Sequence, residues 1–224
     1  MLLSDLANFI AKKQGISEDL IAVDLLKHQI LAYNAVVIKQ QYDKSGLIAE
    51  SLSQTIRCVN VNKVNSAACG LGVDNDFVLR TSSKVPKPLI LKRRVPFLSV
   101  YNTVTSSKRV SLDYISPNEL EYIQDRRFTK NNMFYTYEND YVYIVNALEK
   151  GIDLNTVSIR AIWDNPLEVK LFAENEKITG CNQLCQDCSN EESTCFQDGD
   201  YNIASSIEGL ILSFFLNDNI NKAE

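Results

Sequence analysis

Met133–Asn146 reads MFYTYENDYVYIVN, and the packing of this stretch decides the fold. Two runs of aromatic and β-branched residues flank Asn139–Asp140, a pair that tolerates the positive φ of a tight hairpin turn. Pairing across that turn sets Tyr135 and Tyr137 on one face of the ribbon, and Phe134 and Tyr143 on the other. Both faces are then apolar or aromatic, so both need cover, from the same chain or from a neighbour. The expectation is a hairpin that projects from the body of the protein.

Upstream the same two-residue alternation recurs. TIRCVNVNKV (55–64), DFVLRT (76–81), LSVYNTV (98–104) and RVSLDYI (109–115) read as strands, the last two around the turn TSSK, and VSIRAIW (157–163) adds another downstream. KVPKPLILKRRVPF (84–97) carries Pro86, Pro88 and Pro96, which lack backbone donors and hold the chain extended, as an arm or an edge strand. SPNEL (116–120) is a helix start: Ser116 caps, Pro117 fits the first position and Glu119 completes a capping box, with about ten residues of helix expected to Arg127. NPLEV opens another short helix with Asn165 as its cap.

The ends of the chain follow the helical period. In LLSDLANFIAKK, Leu3, Leu6, Phe9 and Ile10 share one face, and Gly15 ends that helix. Ser17 can cap a second helix running to about Tyr42. Its apolar positions, Leu20, Val23, Leu26, Ile30, Leu31, Val37 and Ile38, form a face broad enough to need more than one partner. A short helix in LIAESLSQT (47–55) and a final one in YNIASSIEGLILSFFLNDNIN (201–221) complete the pattern. The fold class expected is α+β: N- and C-terminal helices packed together, with an inserted antiparallel β region and the projecting hairpin. The parts run 1–54 (helical), 55–173 (β-rich), 174–200 (a cysteine-rich loop) and 201–224 (the returning helix).

The 224 residues are 45% hydrophobic and 23% charged, the balance of an ordinary globular chain. Asp5 interrupts what would have to be the apolar region of a signal peptide, and IEGLILSFFL (207–216) contains Glu208 and falls short of the ~20 residues of a membrane span. No membrane route is expected, and in a reducing cytosol the six cysteines would be free thiols or metal ligands. The net charge of −5 is unevenly spread: residues 80–130 carry +7 and residues 131–224 carry −11. Such asymmetry suits nucleic acid or complementary surfaces on neighbouring subunits, and the second explains both ends at once.

Catalytic patterns are sparse. The one histidine, His28, lies on the long helix with no cysteine at a dyad spacing, and CGLGVDND (69–76) has two glycines but no phosphate-binding lysine. Glu191, Glu192, Asp198 and Asp200 could bind a cation but read as a solvated loop. CNQLCQDCSNEESTC (181–195) holds Cys181, Cys185, Cys188 and Cys195. Its C-x3-C-x2-C spacing is that of radical iron–sulfur enzymes, but Asp187 stands where an aromatic residue is usual and the motif lies near the end of the chain. Four thiolates would suffice for zinc, yet only Cys185–Cys188 has the knuckle form. The expectation is a surface loop, no cofactor and no enzymatic activity. The alternative is a zinc-stabilised nucleic-acid-binding regulatory protein using the basic middle of the chain.

Taken in order, RTSSKVPKPL (80–89), SPNELEYIQ (116–124), the 133–146 hairpin, SIRAIWDNPLEV (158–169) and the closing helix resemble the head–tail connector, or ring, proteins of short-tailed bacteriophages, in particular the crAss-like group. Residues 133–169 carry the likeness best, with Arg160 and the Trp163–Pro166 step. Cys195, Asp198 and Tyr201 fit the pattern, while Asn202 stands where proline is expected. The resemblance implies a structural virion protein: a homo-oligomeric, dodecameric ring at the portal vertex that joins portal to tail and extends the DNA channel. Its partners would be the portal protein and other ring or tail proteins, with DNA passing through without sequence-specific binding. It would be made in the host cytoplasm. Lys84, Pro86, Pro88, Lys92, Arg93 and Arg94 are then expected as an interface arm, with Tyr135, Tyr137, Tyr141 and Tyr143 packing the hairpin or contacting a neighbouring subunit.

Overall fold

The computed structural model describes residues 1–47, 49–73, 76–91, 95–102, 110–123, 125, 128, 132–147, 154–179, 196–197, 200–201 and 203–217. Its centre is a closed β-barrel. The strands are β1 (Gln54–Asn65), β2 (Phe77–Thr81), β3 (Ser99–Asn102), β4 (Ser111–Tyr114), β5 (Phe134–Glu138), β6 (Tyr141–Val145) and β7 (Thr156–Ala161). They run in the order β1-β2-β6-β5-β4-β3-β7, and β7 closes back onto β1. Closure pairs each of these seven strands on both sides, so the barrel itself presents no free edge.

Each strand sends apolar side chains to one shared core: Ile56 and Val59 from β1, Leu79 from β2, Val100 from β3, Leu112 from β4, Tyr135 from β5, Ile144 from β6 and Ile159 from β7. Ile56 pairs with Ile159, Ile159 with Val100 and Val100 with Leu112, so the alternation of each strand registers with the next. Every adjacent pair is antiparallel except β4–β5, where Tyr114 faces Tyr135 in a parallel register. A parallel pair needs a crossover, and residues 115–133 provide it.

The hairpin does not project. Its two faces are covered inside the chain: Tyr135, Val142 and Ile144 join the barrel core, while Phe134, Tyr143 and Val145 pack outside it with Leu71, Val78, Ile115, Leu120 and Ile123. The cover comes from the crossover. Glu119 Oε2 accepts the Ser116 amide (3.3 Å) and hydroxyl (2.9 Å), and Pro117–Tyr122 form a 3₁₀ turn where an α-helix is expected; Gln124, Arg126 and Arg127, the end of that expected helix, lie outside the described residues. With three residues per turn, Leu120 and Ile123 stack on one face, and that face is the one laid on the barrel wall. The expected helix in 47–55 is likewise only a 3₁₀ turn, Glu50–Leu52, because β1 begins at Gln54.

A second core is helical. It joins α1 (Leu3–Gln14), α2 (Leu20–Ser45) and α4 (Ser205–Asn217) to Ile162, Tyr201 and Ile203. Leu3, Leu6 and Ile10 are buried there, but Phe9 is exposed. Asp19, not Ser17, caps α2, its Oδ1 accepting the amides of Ile21 (3.0 Å) and Ala22 (3.1 Å). Gly46, with φ 66°, ends it. By length and composition α2 could cross a membrane; here Val23, Leu26, Ile30, Leu31, Val37 and Ile38 are buried against the protein. Leu20 is not.

α3 (Pro166–Thr179) starts where Asn165 Oδ1 accepts the Leu167 amide at 3.2 Å. A two-stranded ribbon, β8 (Phe196–Gln197) with β9 (Asp200–Tyr201), precedes α4. The two cores meet at consecutive residues: Ile162 belongs to the helical one and Trp163 to the barrel. The Trp163 indole donates to the Gln54 carbonyl at 3.2 Å.

Candidate assembly surface

The turn Asn139–Asp140 has φ values of 53° and 68°, the left-handed pair that a two-residue hairpin demands. Asp140 then gathers its surroundings. Its carbonyl accepts the Val85 amide (2.7 Å), its Oδ1 accepts the Tyr137 hydroxyl (3.2 Å), and its Oδ2 lies 3.6 Å from Lys84 Nζ. Two segments singled out in the sequence, the proline-rich stretch and the hairpin, are thereby brought together.

The proline-rich stretch is packed on its own chain where it is described. Val85, Pro86, Pro88, Pro96 and Phe97 are buried, Lys84 and Lys87 are exposed, and Pro88 bridges Trp163. Phe97 meets Tyr135, Tyr137 and Trp163 at ring distances of 5.9, 5.1 and 5.9 Å, and its carbonyl accepts the Tyr135 hydroxyl at 3.3 Å. Lys92, Arg93 and Arg94 lie outside the described residues, as do Lys108 and Arg109.

Of the four tyrosines, Tyr135 and Tyr143 are buried inside the protein, and Tyr137 and Tyr141 are half-buried. Burial raises the pKa of Tyr135 and Tyr137 well above the ordinary 10.0, and the Asp140 carboxylate adds to the effect at Tyr137. Tyr143 is raised chiefly by burial as well, with Arg80 acting in the opposite direction. Outside the barrel the Arg80 guanidinium lies 4.6 Å from the Tyr141 ring centroid. Arg160, part of the family-like motif, is a clamp: its Nε and Nη2 donate to Ser53 Oγ at 2.9 and 2.8 Å, fixing the turn ahead of β1.

Cys181, Cys185, Cys188 and Cys195 lie outside the described residues. Among those described, no group of three or more His, Cys, Asp or Glu could hold a metal, and His28 is exposed on α2. A cleft of about 310 Å³ between residues 70–72 and 117–121 has Glu121 and Glu138 in its walls. Among the described residues lining it there is no serine, threonine, cysteine, lysine or histidine.

Other surface features are apolar. Ile21 (83% exposed), Leu25 (58%) and Val36 (49%) stand out from α2, and Leu210 and Phe214 from α4. Phe214 stacks on Tyr33 at 4.1 Å. Periodicity does not place Ile21, Leu25 or Val36 on the apolar face of α2, and which side of the helix stays uncovered depends on the packing.

Among the described residues, then, every barrel strand is paired on both sides, and part of the apolar surface of α2 and α4 is left outside the cores. A family model described as phage tail ring protein 2 matches residues 3–206, from the start of α1 to the start of α4. The chain belongs to this family of crAss-like phage ring proteins. It is thus a structural component of a phage particle, one that assembles with other phage structural proteins. No curated protein matches it.

Proposed function

We propose that this protein forms a homo-oligomeric ring, dodecameric in copy number, at the portal vertex, joining the capsid portal to the tail and extending the channel through which DNA passes. The observation that carries this reading is the family match across residues 3–206. The fold supports it in two ways. A closed barrel offers no strand edges of its own for uncontrolled pairing with other chains. The uncovered apolar face of α2 gives copies something to bury.

In this reading the protein is not an enzyme, and its partners are the portal protein and neighbouring ring or tail proteins. DNA would be a passing cargo, not a specifically bound ligand. Of the residues expected at the interface, Lys84 is exposed and Tyr137 and Tyr141 are half-buried, so these three can reach a neighbour, while Tyr135 and Tyr143 would act by holding the barrel that presents them.

Native mass spectrometry of the purified chain tests the ring and the zinc-stabilised alternative together. A metal-free multimer of about dodecameric mass supports the ring. A monomer carrying one zinc ion replaces it with the nucleic-acid-binding reading. Density for this chain, repeated about the tail axis in phage particles, would fix its place beneath the portal.

A further inference from the structure

We infer that the cleft between residues 70–72 and 117–121 is a socket for a guanidinium group, the arginine side chain of a neighbouring structural protein of the particle. The inference deepens the reading above by giving one partner contact its chemistry, and it rests on that reading only for the partner being another structural protein.

Three pieces of chain build the socket. The 3₁₀ turn supplies Pro117, Leu120 and Glu121, the loop 70–72 lies opposite, and the end of β5 supplies Glu138. The Glu121 side chain lies against Gly72: a Cβ there would come within 2.7 Å of its Cγ, so glycine permits the approach. Glu121 and Glu138 make no ion pair among the described residues. Arg80, with its guanidinium 4.6 Å from the Tyr141 ring centroid, pairs with neither. Two uncompensated carboxylates lining one cleft attract a cation. A second mark is independent of them. Thr136, two residues from Glu138 on the outer face of β5 and paired with Tyr143, is wholly buried, and its Oγ1 has no hydrogen-bond partner. Its neighbours on that face, Phe134 and Tyr143, pack with Leu71 and Leu120, which also line the cleft. The orphan hydroxyl is thus directed to the side of the wall on which the cleft opens. A buried polar group in a native protein calls for a partner, and this one is met by a donor from another chain.

Size and chemistry select arginine. The cleft, about 310 Å³, has room for a side chain and not merely for one ion or a single water. Among the described residues no group of three or more His, Cys, Asp or Glu could hold a metal. A guanidinium carries five N–H donors in one plane, enough for both carboxylates and the threonine hydroxyl, whereas an ammonium has three on a single nitrogen. It is also the more weakly hydrated cation, so it gives up less on entering beside Pro117 and Leu120. Tyr122, next in sequence to Glu121 and 60% exposed, offers apolar and aromatic surface to the arriving chain. The arginine belongs to another protein because the described arginines of this chain, Arg57, Arg80 and Arg160, are all engaged within it.

Saturation-transfer NMR with N-acetylarginine methylamide tests the socket on the full chain, whatever its oligomeric state. The wild-type protein should transfer saturation to the side-chain methylenes of this probe, and N-acetyllysine methylamide should receive at least about threefold less. Glu121→Gln combined with Glu138→Gln should lower the arginine signal at least about fivefold. Gly72→Ala, which keeps both charges but displaces the Glu121 side chain, should lower it too. Thr136→Val separates binding from folding: removing an orphan hydroxyl should leave Tm no lower, while the arginine signal should fall. Equal signals from the wild type and the double variant, or from the two probes, would overturn the socket. Displacement of the probe by millimolar Ca²⁺ would make a metal ion the occupant instead. A silent wild type whose multimer shrinks in the double variant by native mass spectrometry would make a second copy the source and overturn the assignment to another protein. A silent wild type with no such change would overturn the socket itself. The probe measurement needs no ring, so failure of the ring reading is a separate observation: particles whose tail axis carries no repeated density for this chain.

Discussion

Cys58 sits inside β1 with φ 58°, in the left-handed region, and is almost completely buried. The pairing with β7 slips there, between Ile56 and Val59, so Cys58 is the extra residue of a β-bulge. A non-glycine residue in this conformation costs about 1–2 kcal/mol. Cys58→Gly should therefore fold with nearly unchanged stability, lost packing offsetting the relief, whereas a β-branched Cys58→Val should lose at least about 2 kcal/mol. Urea midpoints of the two variants check the ordering, and an equally stable valine variant would refute it. Tyr135 and Tyr137 make a second residue-scale prediction. Their pKa values are raised in the fold, so between pH 10 and the folded values the native state holds protons that the unfolded chain has released. Stability is thus fully present below pH 10 and falls above it, by up to about 1.4 kcal/mol per pH unit for each tyrosine. Tyr135→Phe should flatten this alkaline limb while costing about 1 kcal/mol at neutral pH through loss of its bond to the Phe97 carbonyl. A limb unchanged in the phenylalanine variant would place the alkaline sensitivity elsewhere.

At the scale of elements, the β5–β6 hairpin shows what a period-two pattern conveys. Alternation with apolar residues on both sides implies a ribbon covered twice, and its register about Asn139–Asp140 follows from the turn chemistry. The source of the cover does not follow. Inside, it is the barrel; outside, it is Leu120 and Ile123 on and beside a 3₁₀ turn. Leu120→Ala should cost about 2–4 kcal/mol by uncovering Phe134 and Tyr143, as large as many core truncations. Thermal melts of that variant read the loss directly, and a change under about 0.5 kcal/mol, typical of a surface position, would mean that the turn is ornamental to the barrel. The helices divide in the same manner. Period 3.6 locates α1, α2 and α4, but Phe9 and Leu20, placed by periodicity on packed faces, stand exposed. Both positions lie where an apolar helix has more apolar surface than its neighbours can cover.

Across the whole molecule the two cores are joined at Ile162 and Trp163, neighbours in sequence that point into different cores. The helical core draws residues from both ends of the chain and from the end of β7, so it should not melt independently of the barrel. Trp163 is the only tryptophan and reports the barrel, while far-UV circular dichroism is dominated by the helices. The two signals should give coincident urea transitions; an earlier loss of helix would show two separable units. The α+β class, the terminal helices, each barrel strand and the turn at Asn139–Asp140 were legible in the sequence, because each is written in a local period or a local backbone preference. Closure of the barrel was not. It depends on β1 finding β7 about a hundred residues away and on one parallel pair made by a crossover, and neither leaves a local mark. The interface residues divide along the same line. The sequence by itself determined that the hairpin and α2 carried more apolar surface than one face can bury. Tertiary structure alone decided that the hairpin's excess is sealed inside the chain while that of α2 faces outward, since which surfaces meet is settled by how the elements compete to cover one another.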